Sequence, residues 1–509
     1  MNIQKSFLKI QAKYKNEKKL KINNFLEVFS TYVISNIENK CEVNNTVKRS
    51  IETNVKEDLF NLIAKTIILE AYIYNLEVPN SKMSDFIREY LYNKDFRNKI
   101  NTIYPYLCDR VINRSNILVD SYTEMFLNIE KDKEELVSKG MIEKDSELSK
   151  VIRGSGDSHN NGRQVTELVF NNSSIYYKPK ISDTTTALFK LQKWIQKKSE
   201  IKFNYFSILN KEGYSYESKV PHIYCENEND IDLYYYNLGI VIGLLYILNG
   251  TDYHQENVIA NSIYPVMIDN ETLLSPAFEN KSVEFQVKYS GILPNNENKI
   301  DFSVLSAPYS DQYVDLEGIN NENDVWFVEK RQYKLSISNS HPAKHITYKK
   351  IVKEQKSNIL KGVRKILEFI IKEKNNIIKN DLLSDFNNIK TRVVIRYTQR
   401  YAEILNKLYH PDNIKTIDNA VNFLEENLNK NSLTFIIEKE QLLNGDIPIF
   451  HMNTNECFLL ENDKWKLCDN TPYNQIVEKV KNLTFDEISI IEKHIENILK
   501  TKDEKHDSK

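Results

Sequence analysis

The chain has 509 residues, of which 41% are hydrophobic and 28% charged, with a formal net charge of −2. That length fills two or three globular domains, and the near balance of charge leaves no overall basic footprint for nucleic acid. Five scattered cysteines without a Cys-x-x-Cys pair argue against a disulfide framework and against a thiolate zinc cluster.

The N-terminus carries charge but no apolar core segment, so no signal peptide is expected. The most apolar run, 238–248, is too short to span a bilayer. The expectation is a cytoplasmic protein without a transmembrane segment. Residues 1–145 read as helical, with apolar residues at helical spacing in 25–34 and 59–73 and few glycines or prolines. Nothing catalytic is visible there, and a helical platform or partner-binding region is expected.

The pattern changes at 154–163, where Gly154, Gly156 and Gly162 fall close together in a chain that otherwise avoids glycine. Strands are expected on either side, at 164–170 and 174–177. A Gly-rich turn between strands can lie over nucleotide phosphates, with His159 and Arg163 reaching inward. Taken alone the stretch also reads as a plain hairpin turn. Then comes Tyr176-Tyr-Lys178-Pro-Lys180, an apolar strand ending in lysine, as a nucleotide site needs to neutralise phosphates. Lys178, nearest the interior pattern of the strand, is the first candidate and Lys180 the second. Residues 184–198 read as an amphipathic helix with Leu188, Leu191, Trp194 and Ile195 inward. The acids near that helix are Asp183 and Glu200, and neither can be assigned as the partner of the lysine.

An apolar helix over 233–249 delivers the chain into 250–274. There Asp252, His254 and Asn257 stand within six residues, followed by a short strand, 265–268, that ends in Asp269 and Glu271. Phosphoryl transfer uses such a set: a carboxylate that orients the attacking hydroxyl, and an amide oxygen and second carboxylate that hold magnesium. Asp252, Asn257 and Asp269 fit these roles in order, with Glu271 a further candidate ligand. A polar loop between helix and strand is the plainer alternative. Between 276 and 345 mixed strands and loops are expected, and Pro342 argues against a metal pair of His341 and His345. A second basic stretch, Arg392 to Tyr401, reads as a strand running into a helix and gathers Arg392, Arg396, Thr398 and Tyr401. Arginines near a nucleotide site bind phosphate bidentately, although a basic surface corner would look the same. Gly445-Asp-Ile-Pro448 reads as a structural bracket, with Asp446 able to orient the basic cluster. A single amphipathic helix is expected over 476–500.

Taken together, the stretch Gly-Asp-x-His-x-x-Gly-Arg at 156–163, Tyr-Lys-Pro at 177–179 and Asp-x-His-x-x-Asn at 252–257 form an ordered set. It continues with Tyr-Pro-Val-x-Ile-Asp-x-Glu-Thr-Leu at 264–273, Arg-x-x-x-Arg-x-Thr-x-x-Tyr at 392–401, His-Pro at 410–411 and Gly-Asp-Ile-Pro-x-Phe at 445–450. The chain thereby resembles the dehydratase domain of class II lanthipeptide synthetases. The resemblance implies an α+β fold with a lipid-kinase-like two-lobed core, N-lobe about 146–230 and C-lobe about 231–475, between helical additions at 1–145 and 476–509. It implies ATP and Mg²⁺, a ribosomal precursor peptide with its leader, and two steps at one site: phosphorylation of Ser or Thr, then elimination to dehydroalanine or dehydrobutyrine. By matching position, Lys178 would bind ATP phosphates, Asp252 and His254 would act at the substrate side chain, and Asn257 and Asp269 would hold magnesium. Arg392 and Thr398 would serve elimination, with Tyr401 in support.

The family usually carries a hydrophobic residue where Asn270 stands and commonly proline where Tyr397 stands. Its full-length members continue into a zinc-dependent cyclase domain whose ligand set is not seen here. A stand-alone dehydratase, half of a split synthetase or a remnant is therefore expected, with a separate cyclase, transporter or protease as possible partners. A peptide kinase without elimination and a non-catalytic precursor-binding scaffold are the alternatives. Intact Asp252, Asn257, Asp269 and Lys178 argue against the scaffold.

Overall fold

Few glycines or prolines interrupt the first 138 residues, and in the computed structural model they form six helices: α1 (Ile3–Lys13), α2 (Ile22–Glu38), α3 (Asn45–Glu77), α4 (Met83–Tyr92), α5 (Lys94–Ile103) and α6 (Pro105–Ser138). The structure describes residues 2–154, 157–159, 161–276, 281–294, 301–305, 313–334, 338–343 and 351–506. Gly156 and the His345 half of the His341–His345 pair lie outside these residues. The Asn44 side chain starts α3 by accepting the Val47 N–H at 2.9 Å, and Pro105 opens α6 where a helix has no use for an N–H. Length and composition alone would let α3 cross a membrane. Here it packs against α2, α6 and the first strand of a sheet.

That sheet is antiparallel and runs in the order β1-β2-β3-β5-β4, with β1 (Leu148–Arg153), β2 (Thr166–Phe170), β3 (Ser174–Lys178), β4 (Ile208–Lys211) and β5 (Tyr214–Ser218). Alternation along the strands sends Val151, Leu168, Phe170, Ile175, Tyr177 and Tyr216 into one core shared with α2, α3 and α6. Lys178, Ser215 and Glu217 are thereby left to the opposite face.

A second core is built from α7 (Asp183–Lys198), α8 (Glu228–Ile247), the hairpin β6 (Val258–Asn261) and β7 (Tyr264–Met267), α9 (Lys356–Lys379), and the C-terminal helices. Helix α8 begins earlier than its apolar run suggests, because the Asn227 side chain accepts the Asp230 N–H at 3.0 Å and sets the first turn there. Helices α8 and α9 cross at backbone contact. A Cβ on Gly239 would stand 2.0 Å from the Ile359 carbonyl oxygen, and one on Gly362 would stand 1.9 Å from that of Tyr236. This crossing fixes the end of α8, from which the 250–274 stretch starts.

A long hairpin, β8 (Tyr313–Glu322) and β9 (Val325–Lys334), reaches back to the N-terminal helices. Its turn residues Asn323 and Asp324 both have positive φ, and the Asp324 carboxylate accepts the Ser84 N–H at 3.0 Å at the start of α4. Further on, β10 (Lys390–Val393) pairs with β11 (Phe450–Asn453), then β12 (Phe458–Leu459) and β13 (Asn462–Lys466), in a four-stranded antiparallel sheet. Helix α10 (Thr398–Leu408) packs with α11 (Ile417–Asn427) and α12 (Phe435–Leu443) beside it. The strand-to-helix reading of 392–401 agrees with β10 and α10. The C-terminal reading does not agree: two helices, α13 (Pro472–Asn482) and α14 (Phe485–His506), replace the single one expected. Thr484 ends the first and starts the second, its hydroxyl accepting the Glu487 N–H at 3.3 Å. Helices and antiparallel sheets in separate stretches of chain are compatible with the α+β class.

Overpacking a close crossing costs about 1–3 kcal/mol. Gly239→Ala and Gly362→Ala should each lower the midpoint of urea unfolding accordingly. An unchanged midpoint in both would contradict the backbone contact between α8 and α9.

Candidate functional site

The open face of the five-stranded sheet brings the first candidate cation into place. Lys178, the last residue of β3, is buried, donates to the Ile268 carbonyl at 3.0 Å and pairs with Glu217 at 2.8 Å, while Asp269 lies 4.0 Å away. In the β3–β5 ladder Tyr176 faces Glu217 and Lys178 faces Ser215, so Lys178 and Glu217 are diagonal neighbours on one face. Glu217 is the acidic partner that could not be assigned along the helix after β3. The signal lay one strand further on, in the inward-facing glutamate of Tyr214-Ser-Tyr-Glu-Ser. Burial works to lower the pKa of Lys178, but Glu217 and then Asp269 outweigh it and hold the pKa above its usual value. Lys180, the second candidate, pairs with Asp269 at 3.5 Å and closely with Glu271.

The 250–274 stretch supplies the carboxylates. Asp252 sits at φ +64°, a left-handed conformation uncommon for a residue other than glycine, and it turns the chain out of α8 towards the hairpin. Its carboxylate is 3.9 Å from His254 Nε2. Burial, with Asp269 and Glu271 adding to it, raises the Asp252 pKa above its usual value. Asn257 enters β6 with its amide nitrogen donating to the Asp252 carbonyl at 2.7 Å, which leaves the amide oxygen on the other side. The Ile268 N–H donates to the Asn257 carbonyl at 3.0 Å, so the β6–β7 pairing continues to the residue just before Asp269. Asn270 is buried and satisfied, accepting from Tyr253 Oη at 3.1 Å and donating to Thr185 at 3.3 Å. That accounts for a polar residue at this buried position.

Glu271 joins this stretch to the basic one. One oxygen meets Lys180 and the other meets Arg392 Nη1 at 2.7 Å. The backbone is sewn as well: the Arg392 N–H donates to the Glu271 carbonyl at 2.7 Å and the Thr391 hydroxyl donates to the same oxygen at 2.9 Å. Burial alone would raise the Glu271 pKa, but Lys180 and Arg392 overcome it and hold the carboxyl well below its usual range. With both oxygens engaged, Glu271 in this arrangement acts as a clamp between two cations and is not open to a metal ion. His451 lies opposite Arg392 in the β10–β11 ladder. Its Nδ1 is 2.8 Å from Glu461 Oε1, and its backbone N–H donates to Glu461 Oε2 at 2.8 Å. Sequence reasoning passed over both residues, although His451 directly follows the Gly-Asp-Ile-Pro-Ile-Phe motif.

The remaining candidates divide. His159 contacts the Ile447 carbonyl through Nδ1 at 2.6 Å, and burial followed by the positive field of Arg392 lowers its pKa. It therefore borders the Arg392 cluster. Arg163 does not: it pairs with Glu124 of α6 at 3.1 Å, on the helix-packed side of the sheet. Thr398 is half-buried at the first turn of α10. Tyr401 donates to the buried Glu438 at 2.6 Å, and Arg396 pairs with the same oxygen at 2.9 Å, so both converge on Glu438 and not on Glu271. Asp446 is the bracket expected of its motif, although its partners are those of the Gly-rich turn. It accepts from Ser158 Oγ at 2.6 Å and from the Gly162 N–H at 3.1 Å, and Arg114 stands 3.3 Å away. Gly162 is required there, because its φ is +73° and a Cβ would lie 2.2 Å from Ile117 Cγ2.

Two lysines, the Asp269 and Glu271 carboxylates and an arginine thus meet from three distant stretches of chain. Among the described residues there is no group of three or more His, Cys, Asp or Glu side chains that could hold a metal by themselves. Magnesium on nucleotide phosphates needs only one or two protein oxygens, so Asn257 and Asp269 fit that ion whereas a zinc or iron cage does not.

Comparison with known proteins follows the same motifs. The family described as a domain of unknown function (DUF4135) matches residues 104–453. The chain is also 23% identical over 484 residues to the lacticin 481/lactococcin biosynthesis protein LcnDR2 of Lactococcus lactis subsp. lactis, a match covering 86% of this chain and 51% of that protein. The chain therefore spans about half the length of this curated relative. Both findings agree with the resemblance drawn from the motifs.

Because the Glu271 pKa is depressed from 4.5, its pairing stabilises the fold fully above that value and loses its effect as pH falls through the folded pKa. Glu271→Gln should be less stable than wild type at neutral pH, and the gap in urea midpoint should close as pH falls below about 4.5. A gap that stays constant down to the acid transition would contradict the clamp.

Proposed function

The chain belongs to the family described as a domain of unknown function (DUF4135), and from that premise we propose that it acts in lanthipeptide biosynthesis, dehydrating Ser and Thr of a ribosomal precursor peptide by ATP-dependent phosphorylation and then phosphate elimination. The observation that carries this reading is the Glu271 clamp. It ties Lys180, just beyond the end of β3, to Arg392 of the basic stretch, so residues suited to the two half-reactions share one network.

In the first half, Lys178 and Lys180 hold nucleotide phosphates, and Asn257 and Asp269 hold Mg²⁺ against them. The ATP bound there supplies the phosphoryl group. Asp252 accepts the proton of the attacking Ser or Thr hydroxyl, with His254 beside it. In the second half, Arg392 receives the phosphate that leaves Cβ of the phosphorylated residue. A guanidinium suits this, since it offers two parallel N–H groups to phosphate oxygens and keeps its charge when buried. Burial would lower the Arg392 pKa, but Glu271 raises it further, so the cation persists. Thr398, half-buried at the first turn of α10, follows the same strand in the chain. Tyr401 and Arg396 act at a distance by fixing that turn through Glu438.

The two cores flank this network as the lobes of a lipid-kinase-like enzyme would, with the five-stranded sheet on the nucleotide side. A precursor peptide with its leader is the substrate in this reading. A separate cyclase, transporter or protease would complete the product, and the cytoplasm is where ATP and precursor meet.

Incubation with ATP, Mg²⁺ and the precursor peptide encoded beside this chain, followed by mass spectrometry, tests the proposal. Loss of water is the expected result. Phosphate gain without later loss would reduce the protein to a kinase, and binding without mass change would reduce it to a scaffold. Arg392→Ala should accumulate phosphopeptide, with elimination slower by roughly 10²–10³-fold, the loss typical of removing one charge-stabilising donor. Asp269→Ala should leave the peptide unmodified, and water loss by that variant would overturn the magnesium assignment.

A further inference from the structure

We propose that His451, oriented by Glu461, is the group that takes the α-proton during elimination; the assignment rests on the dehydratase reading above. Elimination acts on two adjacent carbons. The proton leaves Cα and the phosphate leaves Cβ, so the proton acceptor must stand within a few ångströms of the phosphate acceptor. Arg392 is the phosphate acceptor, and His451 is its direct cross-strand partner in the β10–β11 ladder. Side chains directly opposite in an antiparallel pair project from the same face with Cβ atoms about 4.5–5.5 Å apart.

The chemistry of the dyad fits the task. Both Glu461 oxygens are committed to His451, one to Nδ1 and one to the backbone N–H. A carboxylate at 2.8 Å makes Nδ1 the protonated nitrogen. Nε2 is then the one with a lone pair, and it makes no hydrogen bond to any described residue. Burial lowers the His451 pKa, which keeps the ring neutral and able to accept. Glu461 remains an anion and stabilises the imidazolium as it forms, the role a carboxylate plays behind any histidine base.

The other basic groups nearby are less suited. Lys178 and Lys180 already hold carboxylate partners in Glu217, Asp269 and Glu271. His254 accepts the Glu256 N–H through Nδ1 at 3.3 Å and has the Asn257 amide 3.4 Å from Nε2. His159 also leaves Nε2 open, but its Nδ1 rests on a backbone carbonyl, which gives an imidazolium less support than a carboxylate.

The step balances without a further reagent. His451 Nε2 takes the Cα proton, and that electron pair forms the Cα=Cβ bond. The Cβ–O bond breaks with its electrons on the leaving phosphate, which Arg392 receives. The products are a dehydroalanine or dehydrobutyrine residue, inorganic phosphate and an imidazolium that returns its proton to solvent.

Two assays on the full chain separate this inference from the reading it rests on. One measures phosphorylation of the precursor with ATP and Mg²⁺. The other measures phosphate release from the same peptide synthesised with phosphoserine. His451→Asn should phosphorylate at the wild-type rate and release phosphate about 10²–10⁴-fold more slowly, the usual yield of a positioned general base. Added imidazole should restore part of the lost rate. Glu461→Gln should slow release while sparing phosphorylation. Release by His451→Asn at the wild-type rate overturns the dyad and leaves the dehydratase reading standing, as does release lost in His159→Asn but kept in His451→Asn. A wild-type protein that performs neither step overturns both. Should His451→Asn lose both activities through misfolding, Glu461→Gln decides: slowed release supports the dyad, and unchanged release overturns it.

Discussion

Glu271 is a partly buried carboxylate with a different cation on each oxygen, Lys180 on one side and Arg392 on the other. Taking such charges out of water costs several kcal/mol per ion, and the cost is met only when each is closely paired. Without the carboxylate, Lys180 and Arg392 would face each other as like charges in a confined space. The clamp is therefore a condition for these two cations to coexist at the meeting point of the β3 end, the 250–274 stretch and β10. Under the proposed dehydratase reading, a phosphate arriving between the cations carries the same sign as Glu271 and would compete for both.

The rest of the architecture holds these three stretches in register. The α8–α9 crossing sets where the 250–274 stretch begins, and the β6–β7 pairing sets Asn257 opposite Ile268, the residue before Asp269. Thr391 and the Arg392 N–H tie β10 to the Glu271 carbonyl, so the clamp closes through backbone as well as side chains. Asp446 pins the Gly-rich turn, carrying His159, to the strand that leads into His451. Each support is a hydrogen bond or a steric limit on a single residue.

Local pattern was enough where the determinant is local. The N-terminal helices, the lysine strand, the β10-to-α10 passage and the ordered Asp252-to-Glu271 set are written in short-range spacing. Lys178, Asp269, Glu271 and Arg392, picked from separate motifs, stand together through the contacts of the Lys180–Glu271–Arg392 network. What escaped depends on neighbours distant in sequence. Glu217 meets Lys178 across a strand pair, whereas the acids close to Lys178 in sequence lie along the helix that follows β3. Arg163 turns towards Glu124 because α6 covers that side of the sheet. Tyr401 and Arg396 find Glu438, a residue no motif singled out. The break between α13 and α14 rests on one threonine hydroxyl, too small a signal to rank above a continuous amphipathic pattern. His451 and Glu461 form a dyad only once β11 and the turn between β12 and β13 are folded together.

The phosphates handled in both half-reactions are proposed to lie between Lys178 at the end of β3, Lys180 just beyond it, and Arg392. The crystal structure of this protein with a non-hydrolysable ATP analogue and Mg²⁺ tests this placement most directly. The expected result is the terminal phosphate within about 3 Å of Lys178 or Lys180, the ion on Asn257 and Asp269, and Arg392 turned from Glu271 towards the phosphate. A nucleotide bound elsewhere, or bound with the Glu271–Arg392 pair intact and remote from the phosphates, would contradict it.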